Sequence, residues 1–445
     1  MTAKILKLGS AALIGLTAMS APALAEETMT SGESAYIFNT LLFLMAGFMV
    51  MFMAAGFAML EAGMVRSKNV AIQCTKNISI FSIAGIMYYL VGYNLMYDGV
   101  DAGFIGSLSL WSPDDTGALA DVPAFGEGEG YAAASDWYFQ MVFVATAASI
   151  VSGTLAERIK LWPFLLFTVV LTGFIYPIQG AWQWGGGWLS EMGFSDFAGS
   201  TIVHSTGGWA ALVGAIILGA RYGKFGANGE INVMPGSSMP LATLGTFILW
   251  LGWFGFNGGS QLALGSASNA IDVSQIFINT NMAAAAGVVT AMILTQLLYT
   301  KVDLTMALNG ALAGLVSITA EPLTPTLGSA AMIGAVGGAI VVVTVPLLDK
   351  LKIDDVVGAI PVHLFAGIWG TMAVPLTNSE TSFYVQGVGV VSIGAFVVLA
   401  SLAFWLALKF TIGIRASQEE EVLGLDKTEI GLEAYPEFGA GSQRI

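Results

Sequence analysis

The chain is patterned as a series of long apolar runs separated by short polar connections. A transmembrane helix needs about 20 mainly apolar residues, and eleven runs come close to that length. The runs lie at 38–62, 76–98, 137–156, 161–181, 200–220, 240–258, 277–300, 305–321, 328–348, 357–376 and 383–413. The pattern therefore predicts an all-α polytopic membrane protein with eleven transmembrane helices.

The composition agrees with this class of fold. The 445 residues are 56% hydrophobic and only 10% charged, and the mean hydropathy is +0.75. The net charge of −14 argues against a nucleic-acid partner and leaves membrane lipid as the surroundings of the chain. The single cysteine, Cys74, excludes an intrachain disulfide and a metal site built from a cysteine cluster.

The first residues have the pattern of a targeting segment. Lys4 and Lys7 precede a short apolar run, and the small-residue sequence ALA at 23–25 is a cleavage site. We predict that residues 1–25 are a cleaved signal peptide, with an uncleaved first helix as the alternative. The mature N-terminus then lies outside a bacterial cell inner membrane, and eleven crossings place the C-terminus in the cytoplasm.

Two regions follow the predicted signal peptide. Residues 26–415 form the predicted transmembrane domain, and the chain becomes polar after Arg415. Residues 416–445 include three consecutive glutamates and are predicted to be a cytoplasmic tail. Nothing in this tail resembles a signalling domain.

The basic residues test this topology, because the cytoplasmic ends of spans carry an excess of Lys and Arg. Beyond the signal peptide, every basic residue falls at a predicted cytoplasmic end or in the tail. These fourteen are Arg66, Lys68, Lys76, Arg158, Lys160, Arg221, Lys224, Lys301, Lys350, Lys352, Lys409, Arg415, Lys427 and Arg444. The predicted outer face carries only acidic residues, which either keep its loops soluble or attract a cation by their field.

One pattern occurs twice and contains both histidines of the chain. Residues 196–208 read DFAGSTIVHSTGG, and residues 355–367 read DVVGAIPVHLFAG. Each copy has Asp, two residues, Gly, three residues, Val-His, three residues and Gly. An ionisable side chain at membrane depth is costly and usually marks a pathway. We therefore predict that His204 and His363 line a pore, the alternative being two core imidazoles whose hydrogen bonds go to neighbouring groups.

The two copies lie in predicted helices that run in opposite directions. This arrangement predicts an inverted repeat of helices 1–5 and 6–10, with helix 11 as an addition. Asp196 and Asp355 would then stand at helix N-termini on opposite faces, where a carboxylate caps free N–H groups. Lys350 and Lys352 lie close to Asp355 in sequence and are its expected ion-pair partners.

Several segments match one known family in their order and spacing. They are GMVRSKNV at 63–70, FQMVF at 139–143, TLAERI at 154–159, WGGGWL at 184–189, DFAGSTIVH at 196–204, WFGFNGGS at 253–260 and DDVVGAIPVH at 354–363. Through them the chain resembles the ammonium transporter family (Amt/Mep/Rh), and the bacterial Amt branch above all, over nearly its whole mature length.

This resemblance implies a homotrimer with one narrow pore in each subunit. Its substrate would be ammonium or ammonia, with methylammonium as a further candidate. The resemblance implies an outer recruitment site of Phe143, Trp184 and Ser260, supported by Asp196. It also implies a gate of two stacked rings, Phe143 and Phe256, above the two histidines, which would act as a proton relay.

The chemistry of these residue types suits the implied roles. Aromatic faces attract a partly dehydrated cation by up to about 2 kcal/mol, and the Ser260 hydroxyl can accept an ammonium N–H. Two neutral imidazoles offer hydrogen-bond partners to ammonia and can pass a proton. Potassium can do neither, so such a pore rejects it. From the residues alone, Trp184 fits an interfacial aromatic belt equally well, and the two Phe side chains fit core packing.

Two segments depart from the family pattern. Glu61 lies where many relatives have Phe-Tyr-Gly-Gly, and we expect it to pair with Arg66 or Lys68, a role at the inner vestibule being the alternative. In the tail, Ile430 and Leu432 replace a His and a Glu of the family pattern. A PII-type signalling protein remains a candidate cytoplasmic partner of this tail.

The predicted function is an ammonium transporter that recruits ammonium outside, deprotonates it and conducts ammonia through the pore. The alternative is an ammonium sensor that binds ammonium but scarcely conducts it. A metal-ion carrier is disfavoured, because the spans lack the carboxylate and thiolate clusters that a metal prefers. No nucleophile–base pattern indicates an enzyme, and no cofactor is expected.

Overall fold

The structure, a computed structural model, describes residues 31–116 and 130–438, and within them a helix lies at each predicted apolar run. The predicted signal peptide lies outside the described residues. The helices are α1 Ser31–Met64, α2 Ser67–Tyr97, α3 Ala133–Thr154, α4 Leu161–Ala181, α5 Ser200–Leu218, α6 Met239–Gly259, α7 Ala267–Tyr299, α8 Leu304–Thr319, α9 Leu327–Lys350, α10 Ile360–Leu376 and α11 Phe383–Thr411. In the described ranges, β-pairing is limited to two isolated bridges.

Most of these helices have the length and apolar composition that a membrane crossing requires. Eight of the described helices meet both conditions, namely α1, α2, α4, α5, α6, α7, α9 and α11, while α8 and α10 are shorter apolar helices. The prediction of an all-α membrane protein with many apolar helices is confirmed. The number of eleven crossings and the inverted repeat remain predictions.

The two copies of the repeated motif have the same unusual backbone. Each begins with a glycine of positive φ, +105° at Gly199 and +80° at Gly358, a region that favours glycine because it has no Cβ. A π-helical turn follows in each copy, at Ser200–Ser205 and at Ile360–Phe365. The first glycine of the motif is therefore explained by the turn that leads into the helix.

The last glycine of each copy lies against the other copy. A Cβ on Gly208 would be 2.8 Å from the backbone nitrogen of Leu364, and one on Gly367 would be 2.6 Å from the carbonyl oxygen of Ser200. Small residues allow membrane helices to approach closely at such points. Every invariant position of the motif therefore helps α5 and α10 to begin and to cross.

The end of the bundle from which the tail leaves contains a buried network of charges. Asp354 accepts hydrogen bonds of 2.8 Å from both Nε and Nη2 of Arg221, and Arg158 donates to its carbonyl oxygen. Glu157 pairs with Arg66 and lies 3.5 Å from Arg221. Burial alone would raise the pKa of Asp354, but the hydrogen bonds from Arg221 and the two guanidinium charges hold that pKa well below its usual value.

The tail packs on this same end through two short helices, α12 Gln418–Leu423 and α13 Leu425–Glu429. The Asp426 carboxylate accepts the backbone N–H groups of the first turn of α2, at 2.8–3.0 Å, from Val70, Ala71 and Ile72. The first N–H groups of a helix have no partner within it. The tail therefore caps a membrane-spanning helix.

Candidate functional site

The first Asp of the motif is a fully buried helix cap. Both oxygens of Asp196 are used: Oδ1 accepts from the N–H groups of Gly199 and Ser200, and Oδ2 accepts from those of Thr201 and Ile202, at 2.7–3.1 Å. These are the free donors of the first turn of α5, as the sequence predicts. The carbonyl oxygen of Asp196 accepts the indole N–H of Trp184 at 2.9 Å, so the same residue also positions that ring.

The second Asp caps α10 with fewer backbone bonds. Asp355 accepts the N–H groups of Gly358 at 3.2 Å and Ile360 at 2.7 Å, and its Oδ1 accepts the Thr154 hydroxyl at 3.1 Å. The expectation that it pairs with Lys350 or Lys352 is wrong. Lys352 Nζ donates to the carbonyl of Gly229 instead, because the free N–H groups of α10 already direct the carboxylate toward the helix.

The two histidines meet in the interior. Their Nδ1 atoms are 3.2 Å apart, which is hydrogen-bonding distance, and their rings stack with centroids 5.2 Å apart. His204 is fully buried and His363 is 3% exposed. The Nε2 atom of His204 is buried and has no hydrogen-bond partner among the described residues. One imidazole nitrogen is thus available to a guest molecule that can donate or accept.

A column of aromatic rings continues from His204 toward Trp184. The ring of Phe256 lies 5.2 Å from His204 and stacks on Phe143 at 4.0 Å, and Phe143 meets the ring of Trp184 edge-on at 6.1 Å. Phe143 and Phe256 are buried, whereas Trp184 is half-buried. The predicted gate residues are therefore in contact, and the gate joins the predicted recruitment site to the histidine pair.

Ser260 is less closely tied to this column. It is the C-cap residue of α6, one turn beyond Phe256, and its hydroxyl donates to the Phe256 carbonyl at 2.9 Å. The hydroxyl oxygen keeps lone pairs that can accept a further hydrogen bond. The described contacts do not join Ser260 to Phe143 or Trp184.

Two aromatic residues that the sequence reasoning did not select also contact the histidines. Trp253 stacks on His204 at 4.9 Å, and its indole N–H is held by the Thr319 hydroxyl at 2.8 Å. Phe57 lies 6.3 Å from the ring of His363. Trp253 was detectable, because it precedes Phe256 by three residues and helical residues three apart share a face.

The expected partners of Glu61 are wrong. Its carboxylate accepts the Ser152 hydroxyl at 2.7 Å and the Asn77 amide at 3.1 Å, and it lies 3.8 Å from Lys76 Nζ. Arg66 pairs with Glu157 instead. The reason is that α1 continues to Met64, which keeps Glu61 inside the bundle while Arg66 lies beyond the end of the helix.

Two cavities lie beyond His363. A small one of about 10 Å³ is lined by His363, Glu61 and Asn309 among mainly apolar side chains. A larger one of about 300 Å³ is lined by Asn309, Asp355 and Arg221 among others. Asn309 and Val357 line both, so the small cavity separates the histidine pair from the larger one.

Together the column and the cavities form one path through the bundle. The path has an aromatic, hydrogen-bonding mouth, a dry pair of stacked rings, two imidazoles, and a polar opening at the end where the tail packs. Such a sequence of groups can strip water from a small cation, exchange a proton with it and pass the neutral molecule on.

Comparison with known proteins gives consistent results over nearly the whole chain. The sequence profile of the Ammonium Transporter Family matches residues 41–435. Ammonium transporter Amt2 of Archaeoglobus fulgidus is 43% identical over 428 residues, which cover 89% of this chain and 87% of that protein. Ammonium transporter Amt1 of Haloferax mediterranei is 38% identical over 421 residues, covering 90% of this chain and 80% of that protein.

The fold is also similar to that of solved structures. A structure titled "Sensor Amt Protein" is 36% identical and superposes with a TM-score of 0.82 over 89% of this chain and 99% of that one. The similarity therefore extends from the sequence to the arrangement of the helices.

Proposed function

Since the chain belongs to the ammonium transporter family, we propose that it carries ammonium across the membrane as ammonia, and that the path above is its pore. Ammonium loses its water and one proton at the outer end, and the neutral molecule crosses the dry segment. The relatives are transporters and not enzymes.

The outer end provides the groups that a dehydrating ammonium ion requires. Trp184 presents an aromatic face, and its orientation is fixed by the bond from its indole N–H to Asp196. Cation–π attraction of this kind reaches about 2 kcal/mol when water is excluded. Ser260 supplies an acceptor, and the stacked rings of Phe143 and Phe256 close the path below the ion.

The histidine pair is the observation that carries the proposal. A bare ion in an apolar tube bears a heavy desolvation cost, whereas ammonia bears little but needs hydrogen-bond partners. The imidazoles provide those partners, and the 3.2 Å contact between their Nδ1 atoms is a route for a proton. Potassium has no proton to give and is therefore excluded.

The direct test uses purified protein in liposomes. A pulse of ammonium is expected to cause protein-dependent uptake, and an equal pulse of potassium is expected to cause none. Uptake of both ions at similar rates would contradict the proposed selectivity, and uptake of neither would contradict transport itself.

A sensor is the second candidate, because one structure with the same fold is titled a sensor protein. A sensor binds ammonium without appreciable flux, so binding and flux have to be measured on the same preparation. Saturable ammonium binding without protein-dependent uptake would favour the sensor.

The surroundings of the protein follow from its surface. Apolar side chains are exposed on several helices, including Phe52 on α1, Phe247 on α6, Leu297 on α7 and Val343 on α9. Lipid and two further copies of the chain, in a homotrimer, would cover them. We place the tail in the cytoplasm of a cell whose inner membrane holds the protein, with the N-terminus outside and with a PII-type protein as candidate partner. Cross-linking in membranes tests the trimer.

A further inference from the structure

A buried ion pair lies beside the inner end of the pore and has no part in the function proposed so far. Glu61 and Lys76 are each 1% exposed, and their charged atoms are 3.8 Å apart. Ionisable residues at such depth are costly and are kept where they serve a pathway. The question is what a carboxylate does at this position.

Helix geometry places Glu61 on the pore side of α1. Phe57, one turn earlier on the same face, lies beside the ring of His363. Glu61 and His363 line the same cavity of about 10 Å³, which has room for roughly one water-sized molecule. Gly153 keeps this space open, since a Cβ there would be 2.5 Å from Val357 and 3.6 Å from Glu61 Cγ.

The partners of Glu61 suit a group that alternates between charged and neutral forms. Lys76 balances the negative charge and is itself held by the Ser152 carbonyl at 2.8 Å and by the face of Phe164. The Ser152 hydroxyl and the Asn77 amide can each donate or accept. The amide oxygen of Asn77 is buried and has no donor among the described residues, so a rotated amide can accept from a protonated Glu61.

We propose that Glu61 is the proton-accepting group at the cytoplasmic end of the pore, and that ammonia leaving His363 regains its proton there. This inference rests on the proposed transport function. The imidazolium N–H breaks as the carboxyl O–H forms, through the single molecule that occupies the cavity. The O–H then breaks as the fourth N–H of ammonium forms, and ammonium leaves through the larger cavity past Asn309. The proton released at the outer end thus follows the ammonia, and each cycle moves one positive charge.

The test compares two signals from liposomes that contain the purified protein. One is the current evoked by an ammonium pulse, and the other is the change in luminal pH beyond that of protein-free liposomes. Wild-type protein is expected to give current with little added alkalinisation. Glu61→Gln is expected to lose about a hundredfold in current, within the usual range for a positioned acid–base group, while the lumen turns alkaline as ammonia enters without its proton.

Three further variants control for structure. Glu61→Gln leaves Lys76 as an uncompensated buried charge, so a double variant with Lys76→Met is expected to assemble like wild type and still to lose the current. Glu61→Asp is expected to restore part of it. Asp349→Asn removes a carboxylate that also pairs with a lysine, Lys224 at 3.0 Å, but lies outside the small cavity, and it is expected to behave as wild type.

The outcomes separate the inference from the function on which it rests. Wild-type current in the assembled double variant would make the ion pair structural and overturn the inference. Wild-type uptake with alkalinisation and no current would overturn it as well, while transport would stand. Protein that moves no ammonium by either signal would contradict the proposed function itself.

Discussion

The two copies of the motif share a backbone but differ in what surrounds them. In the first copy, Asp196 accepts four backbone N–H groups, and His204 lies between Trp253 and Phe256 in dry aromatic packing. In the second copy, Asp355 accepts two backbone N–H groups and a hydroxyl, and its histidine faces a polar cavity. A symmetric scaffold thus carries an asymmetric path, with capture at one end and release at the other.

The largest expected effect tests what the copies have in common. Replacing either His204 or His363 by Ala removes one half of the imidazole pair, so we expect selective ammonium flux to fall by about a hundredfold or more, or to become unselective cation leakage. Flux of ammonium and of potassium in liposomes measures both. Wild-type flux with potassium still excluded in both single variants would return these residues to core packing.

The next effect separates the two copies. Asn offers one oxygen where Asp offers two, so Asp196→Asn leaves two buried N–H groups facing an amide, at about 1–3 kcal/mol each. In Asp355→Asn, an amide that keeps the Oδ1 bonds leaves only the N–H of Ile360 unpaired. We therefore expect a sharp loss of transport for Asp196→Asn and a smaller one for Asp355→Asn.

Uptake in a transport-deficient host, normalised to assembled protein in the membrane, gives this comparison. Equal losses in the two variants would mean that the duplication is purely structural at this position. Asp196 would then have no particular part in the capture of ammonium.

A smaller effect tests the outer end alone. Trp184→Leu removes the aromatic face and the bond to Asp196, and we expect ammonium selection to weaken by about tenfold, since cation–π attraction is worth 1–2 kcal/mol. Ser260→Ala should weaken it less, because its hydroxyl already donates to a backbone carbonyl. Uptake and its inhibition by methylammonium are the readouts. If both variants match wild type in each, the recruitment site lies elsewhere.

The smallest effect concerns the inner end. Truncation after Arg415 removes the Asp426 cap from α2, which costs about 1 kcal/mol for a typical helix cap. We expect the pore still to assemble and its rate to change only modestly, because the described tail contacts lie outside the path. Size-exclusion chromatography and uptake measure the two properties. Failure to assemble would make the tail part of the fold.

The sequence alone located the helices, both histidines, both Asp caps and the stacked phenylalanines. It could not supply the partners of Glu61 or of Asp355, because such pairs depend on where a helix ends and which face it turns inward. Trp253 and Phe57 were missed because an aromatic residue in an apolar helix is ordinarily packing. The spacing of Trp253 from Phe256 was a usable signal, whereas the contact of Phe57 with His363 depends on tertiary structure alone.

The π-helical turns have a consequence for insertions and deletions. In the first copy, the N–H groups of Val203 and His204 both point to the carbonyl of Gly199, so this turn holds one residue more than an α-helical turn would. Deleting a single residue from Ser200–Ser205 would restore ordinary winding and rotate the aspartate cap relative to the imidazole by about 100°, the angle of one residue at 3.6 per turn. A frame-preserving loss of one codon there should therefore be worse tolerated than most substitutions, and the same holds in the second copy.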